Sequence, residues 1–247
     1  MDSLIRDIPN VFAKGNFSFT FAGKTHSYVN QFYSAYGLSA LHWEICDPRS
    51  IVGQPTEVNL DMLTGLRRRM KIPGYFTAER SKGGSYLGVR FDANAEDAAA
   101  LVSSISSSGT VPTTHIRKYP RIPASEFVAT MPLNAILNHN GELITARVAN
   151  ISPNGILVCT ENPKSALMDP DTRVKMQLEP RGEFFVSVNI EGLVCRILED
   201  MNPVSRNVMR YLGLRITRFD NGHKEAYISL LQDILLRLKI SAEKAKR

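Results

Sequence analysis

Apolar and polar residues alternate with a period of two along Phe17-Ser18-Phe19-Thr20-Phe21, the signature of a strand with one buried and one wet face. Ala22-Gly23-Lys24-Thr25 follows it as a hairpin turn. Beyond residue 120, runs rich in β-branched and aromatic residues predict strands over 127–130, 136–138, 144–148, 156–159, 173–178, 184–190, 192–197 and 210–216. Asn140-Gly141 joins two of them as a tight hairpin. The period then changes to that of a helix. Tyr227, Leu230, Leu231, Ile234, Leu235 and Leu238 form one apolar stripe. A second helix is predicted over 92–105, with Glu96 and Asp97 suiting its positive end. Six or so short strands with polar turns predict an antiparallel barrel, because closure removes exposed edges.

Tyr86-Leu87-Gly88-Val89-Arg90-Phe91 and Tyr211-Leu212-Gly213-Leu214-Arg215-Ile216 are close copies. Each is preceded at a similar distance by a Ser-x-x-Gly turn, Ser34 to Gly37 and Ser152 to Gly155. Duplicated architecture follows: a mainly β chain of two tandem six-stranded split barrels, each ending in a helix, the first degenerate. Residues 103–110 are small and polar, as connectors are. The chain therefore divides into a first barrel over 1–108, a junction over 109–122, a second barrel with its helix over 123–240, and a basic tail over 241–247. Pro120 and Pro123 bias the junction toward extended backbone.

At 247 residues the chain suits two domains, each with its own core. A net charge of +6 favours an anionic partner. No stretch approaches the ~20 apolar residues that span a bilayer, so a cytoplasmic protein without membrane insertion is expected. Cys46, Cys159 and Cys195 are far apart and lack zinc spacing, as do the five histidines. No metal or cofactor is implied. No nucleophile elbow, P-loop or zinc-protease motif is present, which argues against an enzyme.

The chemistry concentrates in Arg117-Lys118-Tyr119-Pro120-Arg121 and, some thirty residues later, Asn150-Ile151-Ser152-Pro153-Asn154-Gly155. A guanidinium is a planar fork that meets the O6 and N7 edge of guanine, or two phosphate oxygens, with paired hydrogen bonds. Strand alternation puts Asn150 and Ser152 on one face, and Gly155 is free to adopt positive φ. The first half has Phe32 where the second has Asn150, and no arginine pair upstream. It keeps the scaffold without the polar grip.

R-x-x-x-R followed by [DN]-x-S-x-x-G resembles the PilZ family, bacterial receptors for cyclic di-GMP, over roughly residues 114–238. The resemblance implies a six-stranded barrel with a C-terminal helix and an arginine loop that folds over the ligand. Arg117 and Arg121 would hold guanine edges and phosphates, Asn150 a guanine edge, Ser152 the ligand's polar periphery, and Gly155 would keep that surface open. Ile116 and Lys118 complete the expected ligand set, an apolar residue at 116 favouring one bound ligand over a stacked pair. The two-barrel layout is similar to the YcgR group of flagellar brake proteins. That likeness implies ligand-driven domain reorientation, a protein partner such as a flagellar motor component, recruitment to the flagellar basal body, action on motility or biofilm, and a monomer or homodimer. Two alternatives stand beside this reading. One is a nucleic-acid-binding β-barrel using its basic surface, with Arg67-Arg68-Arg69 and Lys71 as the densest cluster; the other is a PilZ-like adaptor that binds no ligand.

Overall fold

The computed structural model describes residues 13–34, 37–42, 48–62, 68–92, 94, 96–97, 99–101, 103, 122–124, 131–180, 187–202 and 204–244. The first half supplies β1 (Ala13–Phe21), β2 (Lys24–Ser34), β3 (Gly37–His42), β4 (Pro55–Met62), β5 (Arg68–Ser81) and β6 (Gly84–Phe91). The second supplies the two-residue β7 (Ile122–Pro123), then β8 (Leu133–His139), β9 (Glu142–Ser152), β10 (Gly155–Thr160), β11 (Arg173–Pro180), β12 (Val188–Met201), β13 (Val208–Phe219) and the helix α1 (His223–Lys244).

Pairing makes the duplication explicit. The first half runs β5-β4-β1-β2-β3-β6 and closes through β5–β6; the second runs β12-β11-β8-β9-β10-β13 and closes through β12–β13. Strand for strand, the two orders are the same. Ser34 pairs with Gly37 and Gly37 with Arg90, just as Ser152 pairs with Gly155 and Gly155 with Arg215. Each ring encloses its own apolar core. Phe17, Phe19, Leu60, Ile72, Phe76, Leu87 and Leu101 fill the first; Leu137, Ile144, Ile151, Val158, Val194, Ile197 and Leu212 fill the second.

Most predicted strands appear, with their inward residues where alternation puts them. The runs at 184–190 and 192–197 are corrected. From Val188 onward they are one strand, β12, because register shifts at Glu191/Gly192 and Val194/Arg196 absorb the residues that look like a break. The strand predicted at 127–130 lies outside the described residues, as does much of the helix predicted over 92–105, of which Glu96, Asp97, 99–101 and Ser103 are helical. Ile122, assigned to the junction from sequence, is buried in the second core.

Helix α1 buries Tyr227, Leu230, Leu231 and Ile234 on the second barrel. Leu235 is a second correction: it is 54% exposed, lying off the packed stripe. Tyr227 anchors the helix. Its ring is 1% exposed and its hydroxyl donates to the Ser152 carbonyl at 2.6 Å. Burial pushes that phenol far up, so it stays a donor at any physiological pH.

The barrels are joined by sheet. β5 pairs antiparallel with β12, Arg196 opposite Ser81 and Glu199 opposite Ala78. By the barrel pairings, Thr77 and Arg196 hold matching places beside Gly88 and Gly213. The joint thus pairs two equivalent strands about a local two-fold axis at Glu79 and Leu198, as an isologous dimer interface would. Complementary charge reinforces it. Arg80 reaches Asp169 at 2.5 Å, Arg90 reaches Asp200 at 2.8 Å, and Lys82 reaches Asp171 at 3.3 Å. Glu199, 2% exposed, is held by Arg210 at 2.8 Å and faces Arg80 at 3.7 Å. Burial pushes the Asp200 carboxyl above its ordinary range, and the Arg90 guanidinium opposes that shift.

Tyr227→Phe leaves the Ser152 carbonyl buried without its donor, and should lower unfolding free energy by about 1–2 kcal/mol with an unchanged denaturant slope. Gly155→Ala drives a Cβ to 2.7 Å from the Leu214 carbonyl, and should cost about 1–3 kcal/mol in the same urea titration.

Candidate functional site

The second barrel's outer surface is built around a bulge in β9. Leu157 pairs with Asn150 and Val158 with Val148, so Ala149 is the extra residue. Before the bulge Ile144, Ala146 and Val148 face the core; after it Ile151 does. Without the bulge, simple alternation would carry Asn150 into the core. The extra residue turns it outward, half-buried, beside Ser152 on the same strand.

Ser152 and Gly155 close the turn between β9 and β10. The Ser152 hydroxyl donates to the Gly155 carbonyl at 3.0 Å, and Ile216 donates its amide to the Asn154 carbonyl at 3.0 Å. Gly155 does not use positive φ, contrary to the sequence expectation. What demands a glycine is the Leu214 backbone, whose oxygen would sit 2.7 Å from an added Cβ. Gly37 meets the Val89 carbonyl in the same way, at 2.1 Å. The glycine is therefore a requirement of the barrel, present in the half that lacks the polar grip.

One row of paired residues crosses the outer face. Pro123 pairs with Asn150, Asn150 with Leu157, Leu157 with Gly213, Gly213 with Arg196, and Arg196 with Ser81 of the first barrel. At about 4.8 Å per strand, Asn150 and Arg196 stand roughly 14 Å apart. Gly213 lowers the floor midway, since it raises no side chain between Leu157 and Arg196. Below the row, Ala149, Cys159 and Met209 pack with Leu157 and Tyr211 in a small outer apolar patch. Burial, first of all, pushes the Tyr211 phenol up, so it too remains protonated. Arg147 and Arg215 are exposed on the flanks. The arrangement is an open trough with an apolar floor, an amide at one end and guanidinium groups at the other end and sides.

Of the residues singled out from sequence, the structure brings Asn150, Ser152 and Gly155 to one end of β9–β10. Arg117, Arg121, Ile116 and Lys118 lie outside the described residues. Arg196 is not marked by the sequence, because the register shift at Val194/Arg196 that brings it to this row is invisible in a linear pattern. The Tyr-Leu-Gly repeat was a signal for Gly213, although it could not show that the glycine floors a trough.

A groove of about 570 Å³ opens from Arg147, Cys159 and Met209 toward Asn134, Thr145 and Glu179. The first barrel has its counterpart, about 520 Å³, with Asn16, Ser27 and Asp61 at the matching places. Occurring in both halves, the groove belongs to the scaffold. The basic cluster borders the first-barrel copy. Arg67 lies outside the described residues; Arg68 opens β5, Arg69 is exposed, and Lys71 pairs with Glu57 at 3.2 Å, so these three lie at a strand end. Among the described residues, no group of side chains could hold a metal ion, and no helix is long and apolar enough to cross a membrane.

Residues 115–233 match the family model of the PilZ domain. Among solved structures, the chain is similar to the K. pneumonia MrkH–c-di-GMP complex, at 12% identity over 92% of this chain and 90% of that one, with a TM-score of 0.42. It is also similar to the Bacillus subtilis inhibitor of motility MotI/DgrA, at 14% identity over 92% and 96%, TM-score 0.39. The PilZ domain of Escherichia coli YcgR with c-di-GMP matches at 20% identity over 53% of this chain and 98% of that one, TM-score 0.40. No curated protein matches the sequence. With its closed six-stranded barrel, C-terminal helix and Asn-x-Ser-x-x-Gly turn, the segment 115–233 belongs to the PilZ domain family.

Proposed function

We propose that this chain is a receptor for cyclic di-GMP, that the ligand lies in the trough along Asn150, Leu157 and Gly213, and that the arginine segment closes over it. One observation carries the reading. The chain leaving the arginine motif pairs with the strand that bears Asn150, Ile122 opposite Ile151 and Pro123 opposite Asn150. Arg121 is one peptide link, about 3.8 Å between Cα atoms, from that pairing. A long guanidinium tethered there reaches a ligand resting on Asn150. The dianion matches the basic flanks, and guanine offers O6 and N7 to arginine forks.

Ser152 takes a different part from the one the family resemblance implies. Its hydroxyl proton is committed to the Gly155 carbonyl, so its first task is to hold the turn. Arg117, Arg121 and Asn150 are the residues that grip; Ser152 and Gly155 are the frame they grip from.

The trough ends at the joint between the barrels, so occupancy acts where the first barrel (1–108) meets the second (123–240). The chain works as a ligand-operated effector and not as an enzyme, its output a change at that joint read by a protein of the motility or envelope machinery. The continuous β5–β12 pairing favours a small readjustment of the joint over a wide hinge opening.

Titration calorimetry with cyclic di-GMP tests the site. Asn150→Ala and Arg121→Ala should each weaken binding at least tenfold, through loss of hydrogen bonds to a charged ligand. Cyclic di-AMP, lacking the O6 acceptor, should bind far more weakly to the unaltered chain. Undiminished affinity in both variants overturns the assignment. Ser152→Ala should lower stability by about 1 kcal/mol yet change affinity less than either.

A further inference from the structure

The trough does not end on neutral ground. Arg196, at its far end, is held across the joint by Glu79 of the first barrel, Nη1 to Oε1 at 3.8 Å. The contact follows from register. Arg196 and Leu198 share a face of β12, Glu79 and Ser81 share a face of β5, and Arg196 opposes Ser81 while Glu79 opposes Leu198. Arg196 and Glu79 are thus diagonal neighbours, near enough for long side chains to meet. The pair is loose and partly wet, with side-chain exposures of 43% and 22%. Glu79 takes no part in the shorter ion pairs, Arg80 with Asp169 and Arg90 with Asp200, that fasten the joint.

A carboxylate at the rim of an anion trough opposes the ligand twice. It repels the incoming charge, and it occupies the guanidinium that would otherwise face that charge. We infer that Arg196 is a ligand-contacting residue that exchanges Glu79 for the ligand's phosphate or guanine edge, so that Glu79 competes with the ligand and sets the receptor's affinity. This rests on the cyclic di-GMP reading above and deepens it. Two consequences follow from thermodynamic reciprocity. Binding releases a contact between the barrels while the buried Glu199 contacts with Arg80 and Arg210 stay made. Equally, anything that strengthens the Arg196–Glu79 pair weakens the ligand.

Competition gives unusual signs. Exposed ion pairs are worth little, so Glu79→Gln should tighten cyclic di-GMP binding to the full chain only about two- to fivefold. Arg196→Gln removes a charge-assisted contact and should weaken binding about tenfold. In the Arg196→Gln background, Glu79→Gln should gain less than on its own, because there is no longer a guanidinium to release. If Glu79→Gln and Arg196→Gln both bind as the unaltered chain does, while Asn150→Ala is weakened, the inference is overturned and the site assignment stands. If the unaltered chain fails to bind cyclic di-GMP, both fall. Equal gains from Glu79→Gln with and without Arg196 would also overturn the exchange, leaving only long-range repulsion.

Discussion

The Leu214 carbonyl lies 2.7 Å from where a Cβ on Gly155 would stand, and much of the second barrel's site follows from that close approach. It fixes the turn between β9 and β10, which the Ser152 hydroxyl ties off on the Gly155 carbonyl and the Tyr227 hydroxyl clamps from the helix. With the turn fixed, the register of β9 is fixed back to the bulge at Ala149, and Asn150 faces out. A one-residue slip would send Asn150 into the core and expose Ile151. The first barrel makes the same approach at Gly37, so the constraint belongs to the barrel itself.

The joint works under a different constraint. Glu199 is buried and its Oε2 lacks a hydrogen-bond partner, as do Arg80 Nε and Nη2. Removing one member of such a group leaves an uncompensated charge in a poorly solvated place, which is costly, whereas the assembled group adds little net stability. Its value lies in specifying how the strands meet. The Arg196–Glu79 contact beside it is wetter and is not part of that buried group.

Much of this was legible in the chain. Alternation at Phe17 to Phe21 gave a real strand, Asn140-Gly141 a real hairpin, and the Tyr-Leu-Gly copies a true duplication down to the pairing of Ser34 with Gly37. What failed to show was set by non-local pairing. Bulges let β12 run through Glu191, where the sequence pattern reads as two separate strands. The meeting of β5 with β12 leaves no local mark, because its hydrogen bonds are backbone to backbone and indifferent to side-chain pattern. Arg196 gained meaning only from that meeting. Gly155 looked like a residue chosen for positive φ, and proved to be chosen for space.

The central claim is that ligand sits along one row of the second barrel's outer face, reaching the joint. Amide and methyl NMR shifts of the isotope-labelled full chain, followed during cyclic di-GMP titration, test it most directly. The account predicts the largest shifts at Asn150, Leu157, Gly213 and Arg196, smaller ones at Glu79 and Ser81, and little change at Asn16, Asn59 or Arg69 in the first-barrel groove. Shifts centred on that groove, or a saturating titration that leaves Leu157 and Gly213 unmoved, would contradict it.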